Sequence, residues 1–244
     1  MLAIDAGNSR IVAAVFAGDS IGEVFCLATR EAGLLTREPR LADFARQGAA
    51  LASVRPQLAS LVAAEFAAAG LELMLIDGSC DFGLTSAYAT PATLGIDRLV
   101  GAAAARHFHG GRDLIVIDAG TATTVDYVTA AGEFLGGLIA PGLSSAVAGL
   151  GLKAPLLPAV ELKAPERVIG RSTAECLQIG GVVGHAAMLR GLVDLMTAER
   201  GGEPLVLLTG GFTGLLAPWL PPGWISDEHL TLKGIKVVYE LNRH

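Results

Sequence analysis

The sequence predicts an α/β protein of two duplicated domains, divided at 1–112 and 113–244, each a mixed sheet with helices. Three observations carry this expectation. Leu2-Ala3-Ile4-Asp5-Ala6-Gly7 recurs as Ile115-Val116-Ile117-Asp118-Ala119-Gly120, and the likeness continues through 8–15 and 121–128. After each copy come segments whose apolar residues recur at helical spacing. The length, 244 residues, provides for two cores of roughly a hundred residues each.

Each copy reads as an apolar strand, an Asp-Ala-Gly turn and a second apolar strand. A further turn follows, Ala17-Gly18-Asp19-Ser20 or Ala130-Ala131-Gly132-Glu133, and then a third strand-like run, so each half opens with a three-stranded meander. Spacing predicts helices over 42–50 and 57–69, a short strand over 71–76 ending at Asp77-Gly78, and a helix from Gly95 to His107. In the second half, Ser172-Thr173-Ala174-Glu175 fits a capping box that starts a helix with apolar positions as far as Met196. The run 205–208 predicts a buried strand ending in Thr209-Gly210-Gly211, and 232–241 a last helix. The proline-containing stretch 153–165 is expected to be a surface connection.

Composition excludes several classes of function. Apolar residues make up 52% of the chain and charged residues 17%, against roughly a quarter charged in an average globular protein. A buried subunit interface would absorb that surplus. The net charge is −6 with no basic stripe, so no nucleic-acid partner is expected. Met1-Leu2-Ala3-Ile4-Asp5 lacks a basic n-region, and the uncharged stretch 134–152 is broken by Pro141, Ser144, Ser145 and repeated glycines. The expectation is therefore a cytoplasmic protein with no membrane span. Cys26, Cys80 and Cys176 are odd in number and far apart, and are read as buried free thiols rather than a disulfide or zinc framework. His107, His109, His185, His229 and His244 lack acidic or cysteine companions at ligand spacing and are left out of the chemistry.

A strand that ends in Asp and turns on Gly sets a carboxylate beside open backbone N–H groups, which suits phosphate and a metal ion. One such turn is commonplace in hairpins. Two matched copies are a stronger signal, with Asn8, Ser9, Thr121, Thr123 and Thr124 as further donors. Duplicated meanders with paired phosphate turns are similar to the superfamily of acetate and sugar kinases, heat-shock ATPases and actin. That resemblance implies actin-like, ribonuclease H-like domains, each with a five-stranded mixed sheet and with ATP in a cleft between them.

A closer resemblance is to the type III pantothenate kinases. It is carried by Asp5-Ala6-Gly7-Asn8-Ser9, Gly95-Ile96-Asp97-Arg98, Asp118-Ala119-Gly120-Thr121-Ala122-Thr123-Thr124-Val125-Asp126, Gly136-Gly137-Leu138-Ile139-Ala140-Pro141-Gly142, Ile169-Gly170-Arg171-Ser172-Thr173 and Thr209-Gly210-Gly211. The resemblance implies that Asp97 is the general base for the pantothenate hydroxyl, with Arg98 a fork for its carboxylate. Tyr88, Gly95, Ile96 and Thr173 would complete the substrate pocket. The ATP segment would be Asp5, Ala6, Gly7, Asn8, Ser9, Arg10, Ile11 and Val12, with Thr121, Gly210 and Gly211 on the second copy. Asp5 would orient Mg²⁺ through water, and Asp118 would bind a monovalent cation, K⁺ or NH₄⁺. Where the family pattern is Tyr-Asp-Asn-Pro, this chain has Tyr88-Ala89-Thr90-Pro91. Ser9 and Ile96 also depart from the pattern, standing for Thr and Ala.

The implied reaction is ATP plus pantothenate giving ADP and 4′-phosphopantothenate, the first step of coenzyme A synthesis, in a homodimer whose substrate pocket lies near the interface. Two rival readings are a kinase of another small hydroxyl substrate and a nucleotide-binding regulator without turnover. Asp5, Asp97, Arg98 and Asp118 occurring together favour catalysis.

Overall fold

Alternating apolar runs and Gly-centred turns produce the predicted meander at once. In the structure, a computed structural model that describes residues 1–8 and 10–243 with only the backbone of Arg40, β1 (Leu2–Ala6), β2 (Arg10–Ala17) and β3 (Ser20–Ala28) run antiparallel in sequence order. Then follow α1 (Leu34–Arg37), α2 (Pro39–Ala45), β4 (Ala49–Ser53), α3 (Pro56–Ala68), β5 (Met74–Ile76), β6 (Thr85–Ser86) and α4 (Ile96–His109). The second meander is β7 (Leu114–Ala119), β8 (Ala122–Val128) and β9 (Glu133–Pro141). The chain ends with α5 (Leu143–Lys153), α6 (Thr173–Arg200), β10 (Leu205–Thr209), α7 (Thr213–Leu216), β11 (Ile225–Ser226) and α8 (Leu230–Leu241).

The duplication extends to topology. The first sheet has the order β3-β2-β1-β4-β5, with β4 and β5 parallel to β1, and the second repeats it as β9-β8-β7-β10-β11. The second sheet has six strands because β6 pairs with the start of β9, Thr85 with Glu133 and Ser86 with Phe134. By packing, the chain divides into one unit of Met1–Gly110 with Gly132–Phe134 and the segment from His229, and another of Gly111–Ala131 with Leu135–Glu228.

In the first unit the period-2 alternation of β1 splits the core in two. Leu2, Ile4 and Ala6 join Leu41, Leu58, Val62 and Phe66 from α2 and α3. Ala3 on the opposite face joins Val100 and Ala103 of α4 and Ile235 and Val238 of α8. Helices α4 and α8 approach closely because Gly234 presents no side chain: a Cβ there would collide with the Val100 carbonyl. In the second unit, Ile115, Ile117, Ala119, Val125 and Tyr127 pack against Val182, Ala186, Leu189 and Val193 of α6. Helix α6 has the length and hydropathy of a membrane span, but this apolar stripe is part of the second core.

Two sequence expectations are corrected here. The helix expected over 42–50 stops at Ala45, and Ala49 and Ala50 begin strand β4, parallel to β1. Gly48 makes the break, with φ at +130° and its carbonyl accepting from Leu2 N–H at 2.9 Å. A strand buried on both faces is a continuous apolar run, so it shows no alternation to distinguish it from a helix. The cysteines are not buried: Cys26 and Cys176 are exposed and Cys80 half-buried. Cys26 lies on the edge strand β3 and Cys176 in the first turn of α6, so apolar neighbours in sequence did not translate into burial.

Candidate active site

In the first unit, β1 carries Asp5 to its C-terminal end, half-buried, and the chain turns on Gly7, whose N–H donates to the Arg10 carbonyl at 3.1 Å. By alternation Asp5 shares the face of Ala3, which α4 covers. Asn8 and Arg10 are exposed, and the Asn8 carbonyl accepts from the Arg55 guanidinium at 3.3 Å. Ala6 and Ile11 lie in the core beneath α2 and α3, and Val12 packs against the cluster on the opposite face of the sheet, so these three side chains anchor the turn. Ser9 lies outside the described residues.

Gly95 precedes α4, and Ile96, Asp97 and Arg98 form its first turn. A side chain at Gly95 would collide with Asp97 Oδ1, so the glycine leaves the carboxylate its room. Asp97 Oδ1 accepts the Arg98 N–H at 2.9 Å. Burial pushes the Asp97 carboxyl above the usual carboxylate range, against the opposing pull of that N–H and of the Arg98 charge. Ile96 packs into the core beneath it. Arg98 is buried, its guanidinium carbon 5.5 Å from the Tyr88 ring centroid and 5.7 Å from that of Phe134, with Nη1 3.5 Å from Tyr88 Oη. Phe134, fully buried, is a part of this arrangement that sequence reading missed. Among the family departures, Ala89 and Thr90 are both exposed, and Thr90 Oγ1 and its carbonyl both accept from Thr93 Oγ1, at 2.8 and 2.9 Å.

The second turn is one residue tighter than the first. Ala6 pairs with Ile11, but Ala119 pairs with Thr123, so the repeat loses one position at the turn instead of running on without a gap. The consequence reaches the donors expected there. Asp118 pairs with Thr124 and shares its face of the sheet, whereas Thr123 lies on the face of Ala119 and Val125, beneath α6. Thr123 is fully buried, and its Oγ1 lies 3.0 Å from His185 Nε2. The expectation that Thr123 faces phosphate is thus corrected, and its pairing with His185 is a contact that sequence reading did not foresee.

Other groups fasten this turn. The Thr121 carbonyl accepts from Ser145 Oγ at 2.6 Å and from Gly142 N–H at 3.2 Å, while its side chain stays exposed. A Cβ at Gly142 would strike the Gly120 and Thr121 carbonyls, and one at Gly137 the Val125 carbonyl, which gives the Gly-Gly-x-Ile-x-Pro-Gly motif its physical reason. Gly210, with φ at +95°, lies against Asp118: a Cβ would strike Asp118 Oδ1 and approach the Ala119 nitrogen to 2.7 Å. Gly211 follows it, exposed. Thr209, opposite half-buried Asp118 in register, has a buried hydroxyl with no hydrogen-bond partner among the described residues. Thr173 is the exposed first residue of α6, capped by Ser172 Oγ, which accepts from Glu175 N–H at 3.2 Å. Glu175 completes the cap on the Arg171 N–H, at 2.6 Å, in place of that of Ser172.

The family model described as type III pantothenate kinase matches residues 1–195. The type III pantothenate kinase of Moorella thermoacetica is 37% identical, covering 99% of both chains. Among solved structures, a protein of Campylobacter jejuni described as a Baf family transcriptional activator superposes with a TM-score of 0.65 at 21% identity, covering 98% of each chain. The inorganic polyphosphate/ATP-glucomannokinase of an Arthrobacter strain superposes at 0.53 with 13% identity and 98% of each chain covered, which shows a shared fold. On the family match and the near-complete alignment with its members, the chain belongs to the type III pantothenate kinase family.

Proposed function

We propose that this protein transfers the γ-phosphoryl group of ATP to the primary hydroxyl of pantothenate, giving 4′-phosphopantothenate for coenzyme A synthesis. The observation that carries the reading is the pair Asp97 and Arg98 in the first turn of α4, a carboxyl raised by burial beside a guanidinium held over aromatic rings. Phosphoryl transfer passes through a loose transition state that asks mainly for positioning, with one carboxylate to take the hydroxyl proton. Asp97 has that role, and its raised pKa brings its basicity closer to the operating pH. Arg98 binds the substrate carboxylate, and Tyr88, Gly95, Ile96 and Thr173 line the same substrate.

ATP is bound by Asp5, Ala6, Gly7, Asn8, Ser9, Arg10, Ile11 and Val12, with Thr121 of the second Asp-Ala-Gly turn, and its adenosine lies against Gly210 and Gly211 after β10. A divalent cation bound with ATP neutralises phosphate charge. Its hard-oxygen preference fits the half-buried Asp5 carboxylate, with water between. The monovalent cation, K⁺ or NH₄⁺, fits Asp118, where the unpartnered Thr209 hydroxyl offers a second oxygen opposite it in register. The working form is a cytoplasmic homodimer. Exposed Ile139, Leu150, Leu152, Leu156, Val168 and Ile169 support it, since they are the apolar surplus that a second copy would cover.

The test is ADP release by purified protein with Mg²⁺ and K⁺, offered pantothenate, acetate, glycerol or sugars in turn. Release with pantothenate is expected. Release with none of them would sink the kinase reading, and release with a sugar alone would sink its substrate.

A further inference from the structure

The buried Thr123–His185 pair has no place in the chemistry above, and its cost makes it informative. Thr123 is fully buried and His185 7% exposed, set among Val182, Ala186 and Leu189 of α6 and Val125 of β8. Valine has the shape of threonine, so an apolar pair would fill this core without desolvating a hydroxyl and an imidazole. Burial lowers the His185 pKa, which keeps the ring neutral, with one nitrogen to donate and one to accept. A neutral His–Thr hydrogen bond is directional where packing alone is not.

Its position says what that direction fixes. Thr123 is the second residue of β8, two after Thr121. From outside, Ser145 Oγ and Gly142 N–H hold the Thr121 carbonyl. From beneath, Thr123 is tied to α6. His185 lies twelve residues beyond Thr173 on that unbroken helix, about 18 Å at 1.5 Å per residue. A rotation or slide of α6 would therefore move the phosphate turn at one point and the start of the helix at another.

We propose that His185 is a positioning residue, whose hydrogen bond to Thr123 sets the register of α6 against the Gly120–Ala122 turn and so the nucleotide-binding geometry of that turn. The inference rests on this turn holding ATP phosphate, as in the function proposed above.

The experiment compares His185→Leu, Thr123→Val, the double variant and His185→Gln with the parent protein. ATP affinity is measured directly by calorimetry, KM and kcat in the coupled assay, and Tm by thermal unfolding. Each single apolar variant should weaken ATP binding by about tenfold, and the double variant should be no worse than either, as expected for two groups sharing one bond. Gln reaches the position of Nε2 with a donor or acceptor, so His185→Gln should bind ATP within about twofold of the parent even if its Tm falls as far as that of His185→Leu. Unchanged ATP affinity in both single variants with lowered Tm would reduce the pair to core packing and overturn the proposal. So would additive losses, or a glutamine variant no better than leucine. Affinity is read with ATP alone, so it decides the matter whichever acceptor the enzyme uses, whereas the acceptor panel decides the substrate.

Discussion

The Arg98 guanidinium stands over the Tyr88 ring at 5.5 Å and the Phe134 ring at 5.7 Å, so a buried cation is oriented by two aromatic faces. Planarity is what the rings act on. Lysine would keep the charge but lose the fork and the stacking. Arg98→Lys is expected to raise the KM for pantothenate by roughly tenfold to a hundredfold, the worth of a charged hydrogen bond. The KM for ATP should stay close to that of the parent protein. Tyr88→Phe keeps the ring and should change the pantothenate KM far less. Steady-state kinetics with each substrate varied in turn checks both, and equal losses toward ATP and pantothenate would contradict the placement of Arg98.

If Asp97 is the proposed base, activity and stability should respond to its proton with opposite signs. Burial raises its pKa in the folded state, so the folded protein holds a proton that the unfolded chain releases, and Asp97 lowers stability as pH rises through its folded pKa. In its proposed role as base, Asp97 would work only once that proton is gone. Turnover should therefore fall as pH drops through the raised pKa, while the Asp97 contribution to stability improves. Asp97→Asn should cut kcat by about 10²–10⁴-fold, leave ATP binding nearly intact, and keep or raise Tm at neutral pH. Full turnover in this variant would show that another group takes the proton.

The legible parts of this protein were those with local causes. Each Asp-Ala-Gly turn followed an apolar strand, and both meanders formed where the repeat placed them. The Gly95 entry to α4 and the Ser172 cap of α6 were also visible, because caps are fixed by neighbours in sequence. What stayed hidden depended on partners far along the chain. Strand β4 is recognisable only once β1 lies beside it, and Thr123 read as a phosphate donor because a one-residue shortening of the turn changes the face that each threonine occupies. His185 had no ligand-like neighbours in sequence, and its partner is 62 positions away.

Gly210 joins two tasks in one residue. Its φ of +95° disfavours any side chain, and a Cβ would strike Asp118 Oδ1. Gly210→Ala should therefore displace Asp118, lower ATP affinity and weaken activation by the monovalent cation together. Activity titrated with K⁺ at fixed ATP, alongside ATP binding, reads both. Gly149→Ala is the control, since a Cβ at that helical position meets nothing within 4 Å and alanine favours the helix. A Gly210→Ala enzyme with normal ATP affinity and normal K⁺ response would separate Asp118 from the nucleotide site.

Lys236 on α8 is a buried cation held by two acidic partners. Its Nζ lies 2.9 Å from Asp19 Oδ1 and 2.7 Å from Glu240 Oε1, and only 8% of its side chain is exposed. Burial alone would lower its pKa, but hydrogen bonds to Glu240 and Asp19 outweigh that and raise it above the ordinary lysine range. The raised pKa marks a contribution to stability that is fully present below the unfolded pKa and is lost as pH rises through the folded one. Across neutral pH it is constant, so no dependence should appear there. Removing one acidic partner leaves a buried ammonium with less compensation, whereas an apolar side chain of similar length removes the charge and its desolvation together. Lys236→Met should therefore keep Tm near that of the parent, and Glu240→Ala should lower it further than Lys236→Met does. Asp19 is 96% exposed, so Asp19→Asn should barely move Tm. Thermal unfolding of the three variants at neutral pH tests the order, and a large loss in Lys236→Met with none in Glu240→Ala would reverse the assignment.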